Sequence, residues 1–388
     1  MKRKRSALDT ISTLPEIILE TILCFLPTKE AARTSILSRE WRYKWTKIPK
    51  LEFYLSDVSK EITEEKQVEG EENGRACKPF CDLLQILKLH KGPIHEFIIE
   101  IDLDYDLYAF DQIILYLSKN HTVKKLTISG GDGTYWDYLP VSVFSLHHLT
   151  NLNLCCFNID SQQIFNEYGS LRSLSLDTID ICFKSLLDLL SNCPPLKSLT
   201  LFIVHTNISG GDCTIIRLFE CLPSIEHLTT MGDHFEWLVV DSVPQEHPAL
   251  LVHLKYFYFK DICFAGGCGL PFLLVVIKCS PNLQKIKLEV KPYHNYDEKE
   301  EYSVVWKEYS DVWLENLIEL EIERFCNLKL EMEFVKFILA RSPKLKKLRI
   351  KCKLSLEESM EQRMEMLEVL LQAPCVSKVL IYVSELLL

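Results

Sequence analysis

The sequence lacks the patterns that usually carry metal, cofactor or catalytic chemistry. None of its 15 cysteines stands in a C-x-x-C pair, and Cys77 and Cys81 have no second pair that would complete a zinc site. His147 and His148 lie beside no Cys or His at metal-ligand spacing. The glycine-rich segment 130–133 lacks the spacing of a phosphate-binding loop, and no G-x-S-x-G motif occurs. The sequence therefore predicts no metal, no cofactor and no catalytic residue.

Long hydrophobic runs and an excess of positive charge are also missing. The longest apolar stretch, residues 270–277, is far below the roughly 20 residues that a membrane span needs. The formal net charge of −10 argues against broad nucleic-acid binding. No apolar run follows the basic start, and unpaired cysteines fit a reducing compartment. We therefore expect a soluble protein of the nucleus, the cytoplasm or both, which binds neither membranes nor nucleic acids.

Apolar residues are abundant enough for a large core. The chain has 388 residues, of which 47% are hydrophobic, and its mean hydropathy is +0.04. A chain of this length exceeds one compact core and favours two domains or an array of repeats. The basic residues within 1–8 fit either a nuclear import signal or a solvated, disordered tail, and the sequence leaves both alternatives open.

Residues 9–55 predict a small module of three helices. The segment T-L-P-E at residues 13–16 has the spacing of a capping box, with its proline in the first turn of the helix. Pro27 ends that helix and Thr28 can cap the next one. A third helix is expected over residues 36–45.

This module has more large apolar side chains than its length can bury. Leu14, Pro15, Trp41 and Trp45 should leave an apolar patch, and such a patch marks a surface for a partner. The alternative is that these side chains pack on the domain that follows. The residues alone do not decide between the two.

Residues 9–45 resemble the F-box of plant F-box proteins; they read D-T-I-S-T-L-P-E-I-I-L-E-T-I-L-C-F-L-P-T-K-E-A-A-R-T-S-I-L-S-R-E-W-R-Y-K-W. The resemblance extends over the module without a gap. It implies that the module binds a Skp-type adaptor, which links F-box proteins to a cullin. The residues implied to make this contact are Leu14, Pro15, Ile18 and Leu19, with support from Ile22, Leu26, Leu37 and Trp41.

A short apolar motif recurs through the rest of the chain. Its form is L-x-x-L-x-L, with other apolar residues or Thr tolerated. Its copies begin at Val123, Leu149, Leu171, Leu196, Ile225, Leu254, Leu283, Leu317, Leu345 and Val376, after a weaker copy at Ile94. In five copies a proline lies two residues before the motif and follows an apolar, helix-like run, so each unit reads as helix, turn and strand. Stacked units of this kind predict an α/β leucine-rich-repeat solenoid, with a curved parallel sheet and outer helices.

Residues 311–388 resemble the FBD region that follows the repeats in one family of plant F-box proteins. The resemblance rests on L-E-N-L at 314–317, F-V-K-F-I-L at 334–339 and S-P-K-L-K-K-L at 342–348. The predicted organisation is a tail (1–8), an F-box (9–55), a linker with the first repeat helix (56–93), leucine-rich repeats (94–310) and an FBD-like region that continues them (311–388). Two acidic inserts, 61–74 and 294–301, are expected to be mobile loops.

The late repeats carry charged residues between their apolar motif positions. Apolar motif residues of a strand face the core, so the residues between them face outward. Because parallel strands stack in register, an acidic strand should lie between two mostly basic ones. The predicted ladders are Lys285–Glu319–Lys347 and Lys287–Glu321–Arg349, with Glu289 opposite Glu323 as an unfavourable rung that Lys351 partly relieves. This patch fits either a self-neutralising structural face or a charged docking site.

The middle repeats present an uncharged, aromatic set of outward residues. These residues are Phe202, His227, Met231, Tyr256 and Tyr258. Aromatic residues and methionine are enriched at interfaces, so we predict that a protein partner contacts them. The alternative is that these side chains cover one another or lie under the loop over 231–237.

Two classes of function are open on these residues. The F-box resemblance implies a non-catalytic substrate receptor of an SCF-type ubiquitin ligase, with the repeats holding an unknown target protein near the transferring enzyme. The other class is a repeat scaffold that binds proteins outside a ligase. A small-molecule co-receptor would need a basic pocket, which the assigned strands do not offer outside the ladders.

Overall fold

The computed structural model describes residues 11, 13–56, 72–102, 107–131, 138–159, 165, 168–205, 215–232, 250–264, 269–291, 309, 311–352 and 360–385. The predicted basic tail, residues 61–71 of the first insert and the whole insert 294–301 lie outside the described residues. The chain divides into two compact units, residues 1–171 with 178–180 and residues 172–177 with 181–388.

The first unit opens with the helical module. Its helices are α1 (Glu16–Leu23) and α2 (Thr28–Arg33), followed by two 3-10 helices, Thr34–Ile36 and Trp41–Lys47. The prediction of one continuous third helix over residues 36–45 is therefore wrong, because two short 3-10 helices take its place. Side-chain hydroxyls that bond to nearby carbonyls compete with regular helix, and Thr34 Oγ1 donates to Ala31 O (2.6 Å) while Ser35 Oγ donates to Arg42 O (3.0 Å).

The starts of the two α-helices also differ from the prediction. Pro15 and Pro27 occupy the N-cap positions of α1 and α2, and no side-chain hydrogen bond caps either helix. Glu16, expected to complete a capping box, instead pairs with Lys47 Nζ at 2.7 Å. Thr28 Oγ1 accepts a hydrogen bond from Glu52 N at 2.7 Å, which ties the module to the first strand.

The rest of the first unit alternates strands and helices. The strands are β1 (Lys50–Ser56), β2 (Glu96–Asp102), β3 (Lys125–Ser129) and β4 (Asn151–Ile159), and the helices are α3 (Glu72–Leu89) and α4 (Leu107–Asn120). Each strand pairs in parallel with the next one in the chain. The last residues of the first predicted insert, 72–74, belong to α3. All but the last residue of strand β1 lies inside the range predicted for the F-box, so the sheet begins one strand earlier than the repeat motif indicates.

The second unit continues the same alternation, with β5 (Ser173–Ile181) at the boundary between the units. Its further strands are β6 (Ser198–His205), β7 (His227–Met231), β8 (Tyr256–Ile262), β9 (Lys285–Val290), β10 (Glu319–Phe325), β11 (Lys347–Cys352) and β12 (Leu380–Glu385). Its helices are α5 (Phe183–Ser191), α6 (Ile215–Glu220), α7 (Gly269–Cys279), α8 (Lys329–Arg341) and α9 (Met360–Leu371). The pairs from β6 to β12 are parallel and follow chain order. Both units thus have the mixed α/β construction of a leucine-rich-repeat solenoid, as the motif predicts.

A repeated backbone contact sets the register of neighbouring strands. The carbonyl just before a strand accepts two N–H groups from the next repeat, as Glu226 O does from Lys255 N (2.9 Å) and Tyr256 N (3.1 Å). The predicted register holds from β8 to β11. The last copy of the motif begins two residues later than predicted, as the pairing of Ile381 with Leu348 in β11 shows. The run V-L-I-Y-V at residues 379–383 offers apolar residues at alternate and adjacent positions, so its pattern does not fix one register.

Several strands carry the same backbone irregularity near their carboxyl ends. Cys156, Thr178, Asp261 and Arg324 have positive φ angles of 64°, 54°, 51° and 59°. The residue after each one is buried, and the pairing register shifts at this point in β8 and β10. One extra residue in a strand is a β-bulge, which breaks the alternation of side chains. Two consecutive side chains can therefore lie on the outward face.

Candidate interaction surfaces

The helical module exposes large apolar side chains on α1 and on the segments that follow it. Ile17 is 72% exposed, Phe25 83% and Ile36 86%. Pro15, Ile18, Ile22, Leu26 and Leu37, all predicted to bind the adaptor, are exposed as well. A group of neighbouring exposed apolar residues is a feature of protein-binding surfaces. The sequence reasoning did not assign Ile17, Phe25 and Ile36 to this surface. In the structure, Ile17 lies on the face of α1 opposite the buried Leu19 and Leu23.

The other predicted members of this surface lie deeper in the module. Leu14 and Trp45 are half-buried, while Leu19 and Trp41 are only 1% and 6% exposed. The expectation that Trp41 belongs to an exposed patch is therefore wrong. Leu19 and Trp41 pack inside the module, where they can hold the exposed residues in place but offer almost no surface themselves.

A compact junction joins the module to the first repeat. Thr46 O accepts hydrogen bonds from Lys91 N (2.8 Å) and Gly92 N (3.0 Å), and His90 Nε2 lies 2.9 Å from Ile48 O. Burial lowers the pKa of His90 below its usual value. The junction has no room for a larger residue at Gly92, where a Cβ atom would lie 2.5 Å from Lys47 O. The module is thus fixed to the repeat through backbone groups, with its exposed apolar side chains left outside this contact.

The predicted aromatic cluster (Phe202, His227, Met231, Tyr256 and Tyr258) lies on the neighbouring strands β6, β7 and β8. His227 pairs in register with Tyr256, and their rings lie 6.0 Å apart. Lys260 Nζ lies 5.6 Å from the centre of the Phe202 ring. His227 is exposed and the other four are half-buried, so the cluster partly covers itself, as the alternative reading expected. The loop over 233–237 lies outside the described residues.

The outward residues of β9, β10 and β11 form an ion-pair block. The strand register is the predicted one, with Glu319 opposite Lys285 and Lys347, and Glu321 opposite Lys287 and Arg349. The ion pairs run partly along diagonals. They are Lys285–Glu319 (3.4 Å), Lys285–Glu321 (3.2 Å), Lys287–Glu323 (3.1 Å), Arg349–Glu319 (2.9 Å), Lys351–Glu321 (3.0 Å) and Lys351–Glu323 (2.6 Å).

Two carboxylates of this block, Glu321 and Glu323, stay charged at neutral pH. Burial by itself would raise the pKa of Glu321, but hydrogen bonds from Lys351 and Lys285 lower it below its usual value. The pKa of Glu323 is lowered in the same way by Lys351 and Lys287, against the effect of burial. Each carboxylate thus has two cationic partners, and the block satisfies most of its own charge.

The rung predicted to be unfavourable, Glu289 opposite Glu323, is relieved by Lys351 on Glu323, as predicted, and by further contacts of Glu289. Glu289 accepts a hydrogen bond from Tyr258 OH (2.6 Å) and pairs with Arg324 at 2.8 Å. Arg324 also contacts Asp261 at 3.2 Å. Both Arg324 and Asp261 occupy bulge positions, so their outward orientation depends on positive φ angles that the strand pattern does not predict. Tyr258 therefore joins the aromatic cluster to the ion-pair block.

In the described part of the chain, no helix is long and apolar enough to span a membrane. Within the same residues, no group of three or more His, Cys, Asp or Glu side chains is arranged to hold a metal ion.

Comparison with known proteins matches both parts of this architecture. The F-box domain model matches residues 11–53, and the model of the leucine-rich repeats of FBD-associated F-box proteins matches residues 113–251. The F-box/FBD/LRR-repeat protein At1g13570 of Arabidopsis thaliana is 27% identical over 95% of this chain and 96% of its own length. At4g00160, an F-box/FBD/LRR-repeat protein of the same plant, is 29% identical over 67% of this chain and 53% of its own length. The F-box/LRR-repeat protein At3g59200 is 32% identical over 50% of this chain and 36% of its own length. The chain thus combines an F-box with leucine-rich repeats and resembles, over nearly its whole length, a plant F-box/FBD/LRR-repeat protein.

Proposed function

We propose that this protein is the substrate-recognition subunit of an SCF-type ubiquitin ligase, acting in the nucleus, the cytoplasm or both. Its F-box docks on a Skp-type adaptor and through it on a cullin, and its repeats hold a target protein. It performs no chemistry itself; it raises the concentration of the target near the transferring enzyme. The observation that carries the proposal is the exposed apolar surface of the module, in a segment that matches the F-box domain.

The docking step is tested by the affinity of the full chain for a Skp-type adaptor. Ile18→Glu places a charge on the exposed face of α1, where the burial of a charge against an apolar partner is costly. We expect this variant to bind the adaptor at least 10-fold more weakly, a loss of about 1.4 kcal/mol or more. Val141→Glu is the matched control, because Val141 is an exposed aliphatic residue outside the module. Equal binding by Ile18→Glu and the control would contradict the docking proposal.

The target is proposed to contact the aromatic cluster rather than the ion-pair block. Tyr256 and His227 are the most suitable residues for a test, because the hydroxyl of Tyr258 is engaged by Glu289. In a library of displayed peptides selected on the full chain, sequences chosen by the wild type should lose binding to the Tyr256→Ala, His227→Ala variant. Thr200→Ala, a change at an outward position of β6, is the control. Selected peptides that bind the double variant unchanged would remove the cluster from the proposal without affecting the docking step.

A repeat scaffold outside any ligase is the alternative. The two functions differ in one measurement, since only a ligase subunit binds a Skp-type adaptor. Leu14→Ala with Pro15→Ala serves as a second, milder test of the same contact, because Pro15 is exposed and Leu14 half-buried. A wild-type chain that ignores every cullin-linked adaptor while still selecting peptides would support the scaffold.

A further inference from the structure

Two consecutive cysteines at the end of β4 bring their thiols together. The Sγ atoms of Cys155 and Cys156 lie 3.5 Å apart, and both residues are half-buried. In a regular strand, consecutive side chains point to opposite faces, which would separate the two thiols. The left-handed backbone of Cys156, with φ of 64°, breaks this alternation and turns the second thiol to the side of the first.

The neighbouring strand makes room for this arrangement. A Cβ atom at Gly130 would lie 2.6 Å from Cys156 O and 3.5 Å from Cys156 Cβ, so a larger residue there would disturb the bulge. Gly130 N donates a hydrogen bond to Cys155 O at 2.8 Å. The same kind of bulge orients Asp261 and Arg324 for an ion pair in the second unit. In β4 the paired groups are thiols instead of charges.

We propose that Cys155 and Cys156 form a two-thiolate site for a soft, thiophilic centre. With metal–sulfur bonds of about 2.3 Å, two sulfur atoms 3.5 Å apart subtend about 100° at the centre, which is close to the tetrahedral angle. A disulfide would instead need the sulfur atoms at about 2.05 Å and suits Cα atoms at least about 4.4 Å apart, whereas consecutive Cα atoms are about 3.8 Å apart. The geometry therefore suits a chelate better than a disulfide.

The site offers two sulfur ligands and leaves the other positions open. Among the described residues, no third metal-ligating side chain joins the pair. The best ligand for this site is therefore one whose central atom binds only two thiolates. The arsenic atom of a trivalent organoarsenic compound is such an atom. With an arsenoso compound the arsenic–oxygen bond and two S–H bonds break, two arsenic–sulfur bonds form, and the oxygen leaves as water. No electron is transferred in this reaction.

The probe is phenylarsine oxide, added to the reduced full chain with an excess of a monothiol that blocks binding to single cysteines. Trypsin cleaves after Lys125 and Arg172, and the peptide 126–172 between them contains only these two cysteines. We expect one equivalent of arsenical on this peptide by mass spectrometry, with release by a competing dithiol. Absence of the adduct from this peptide would overturn the proposal.

Single-thiol variants decide whether both sulfurs take part. Cys155→Ser and Cys156→Gly should each abolish retention of the arsenical on the peptide. Glycine adopts the left-handed conformation freely, so Cys156→Gly removes the thiol while keeping the fold, which its melting temperature verifies. Cys81→Ser, a change at an exposed cysteine of α3, should leave retention unchanged. Retention of the arsenical by Cys156→Gly would refute the two-thiolate site.

Discussion

Replacement of Gly92 by alanine should open the junction between the helical module and the first repeat. The new Cβ atom would lie 2.5 Å from Lys47 O, 2.8 Å from Lys47 Cα and 2.9 Å from Lys47 C. All three are backbone atoms, so no side chain can rotate away to relieve the contact. The two segments must move apart instead.

The expected cost follows from the hydrogen bonds that this movement breaks. Lys91 N and Gly92 N both donate hydrogen bonds to Thr46 O, and His90 Nε2 lies within hydrogen-bonding distance of Ile48 O. At about 0.5–1.5 kcal/mol for each of three bonds, the junction loses roughly 1.5–4.5 kcal/mol. Amide exchange through local opening should then be about 10- to 1000-fold faster around the junction.

Hydrogen exchange of the full chain, followed by mass spectrometry, measures this effect in peptides that cover residues 46–53 and 86–96. Gly169→Ala is the matched control, because nothing lies within 4 Å of a Cβ atom placed there. It should exchange like the wild type throughout. Protection of both segments at the wild-type level in Gly92→Ala would show that the close approach of Gly92 to Lys47 does not hold the junction.

Three further perturbations test the packing and the electrostatics. Burial lowers the pKa of His90, so the folded state resists its protonation, and the junction should lose stability as the pH falls from about 6.5. The melting temperature of His90→Gln should therefore vary less with pH than that of the wild type. If both melting temperatures vary equally with pH, protonation of His90 is not the cause. Tyr258→Phe removes the hydroxyl that donates to Glu289 and should cost about 1.5–3 kcal/mol in urea unfolding, while no loss would mean that the contact contributes nothing. Phe259→Ala empties a fully buried site beside Phe272 and should cost about 3–5 kcal/mol in the same assay, with a smaller loss indicating that the site collapses.

The alternating pattern of the repeats predicted most of the second unit, because a period of two fixes which residues face outward. It placed Glu319 opposite Lys285 and Lys347, as the strands have it. It could not predict Arg324, since that side chain faces outward only through a left-handed backbone that no letter in the sequence marks. The ion pairs of the ion-pair block and its neighbours therefore include contacts that are not between directly opposite residues of the strands.

The helical module was predicted less completely, for a different reason. Resemblance identified the segment and most of its exposed residues, but it did not separate exposed from buried positions. Leu19 and Trp41 are buried, while Ile17 and Phe25 are exposed. Short helices with several hydroxyl residues have local hydrogen bonds that compete with a continuous helix, so helical spacing is a weak guide there. Tertiary packing decides which face remains outside.

The outward face of the second unit separates into two regions with different requirements for a partner. In the ion-pair block, Glu321 and Glu323 each contact two lysines, so a ligand that binds there must compete with existing contacts. Because these part-buried charges already satisfy one another, a partner gains little by exchanging one ion pair for another. In the aromatic cluster, the rings of His227 and Tyr256 contact each other, and a partner that covers this aromatic pair adds buried apolar area. Under the proposed function, the Tyr256 and His227 variants should therefore reduce target capture more than any single change in the ion-pair block.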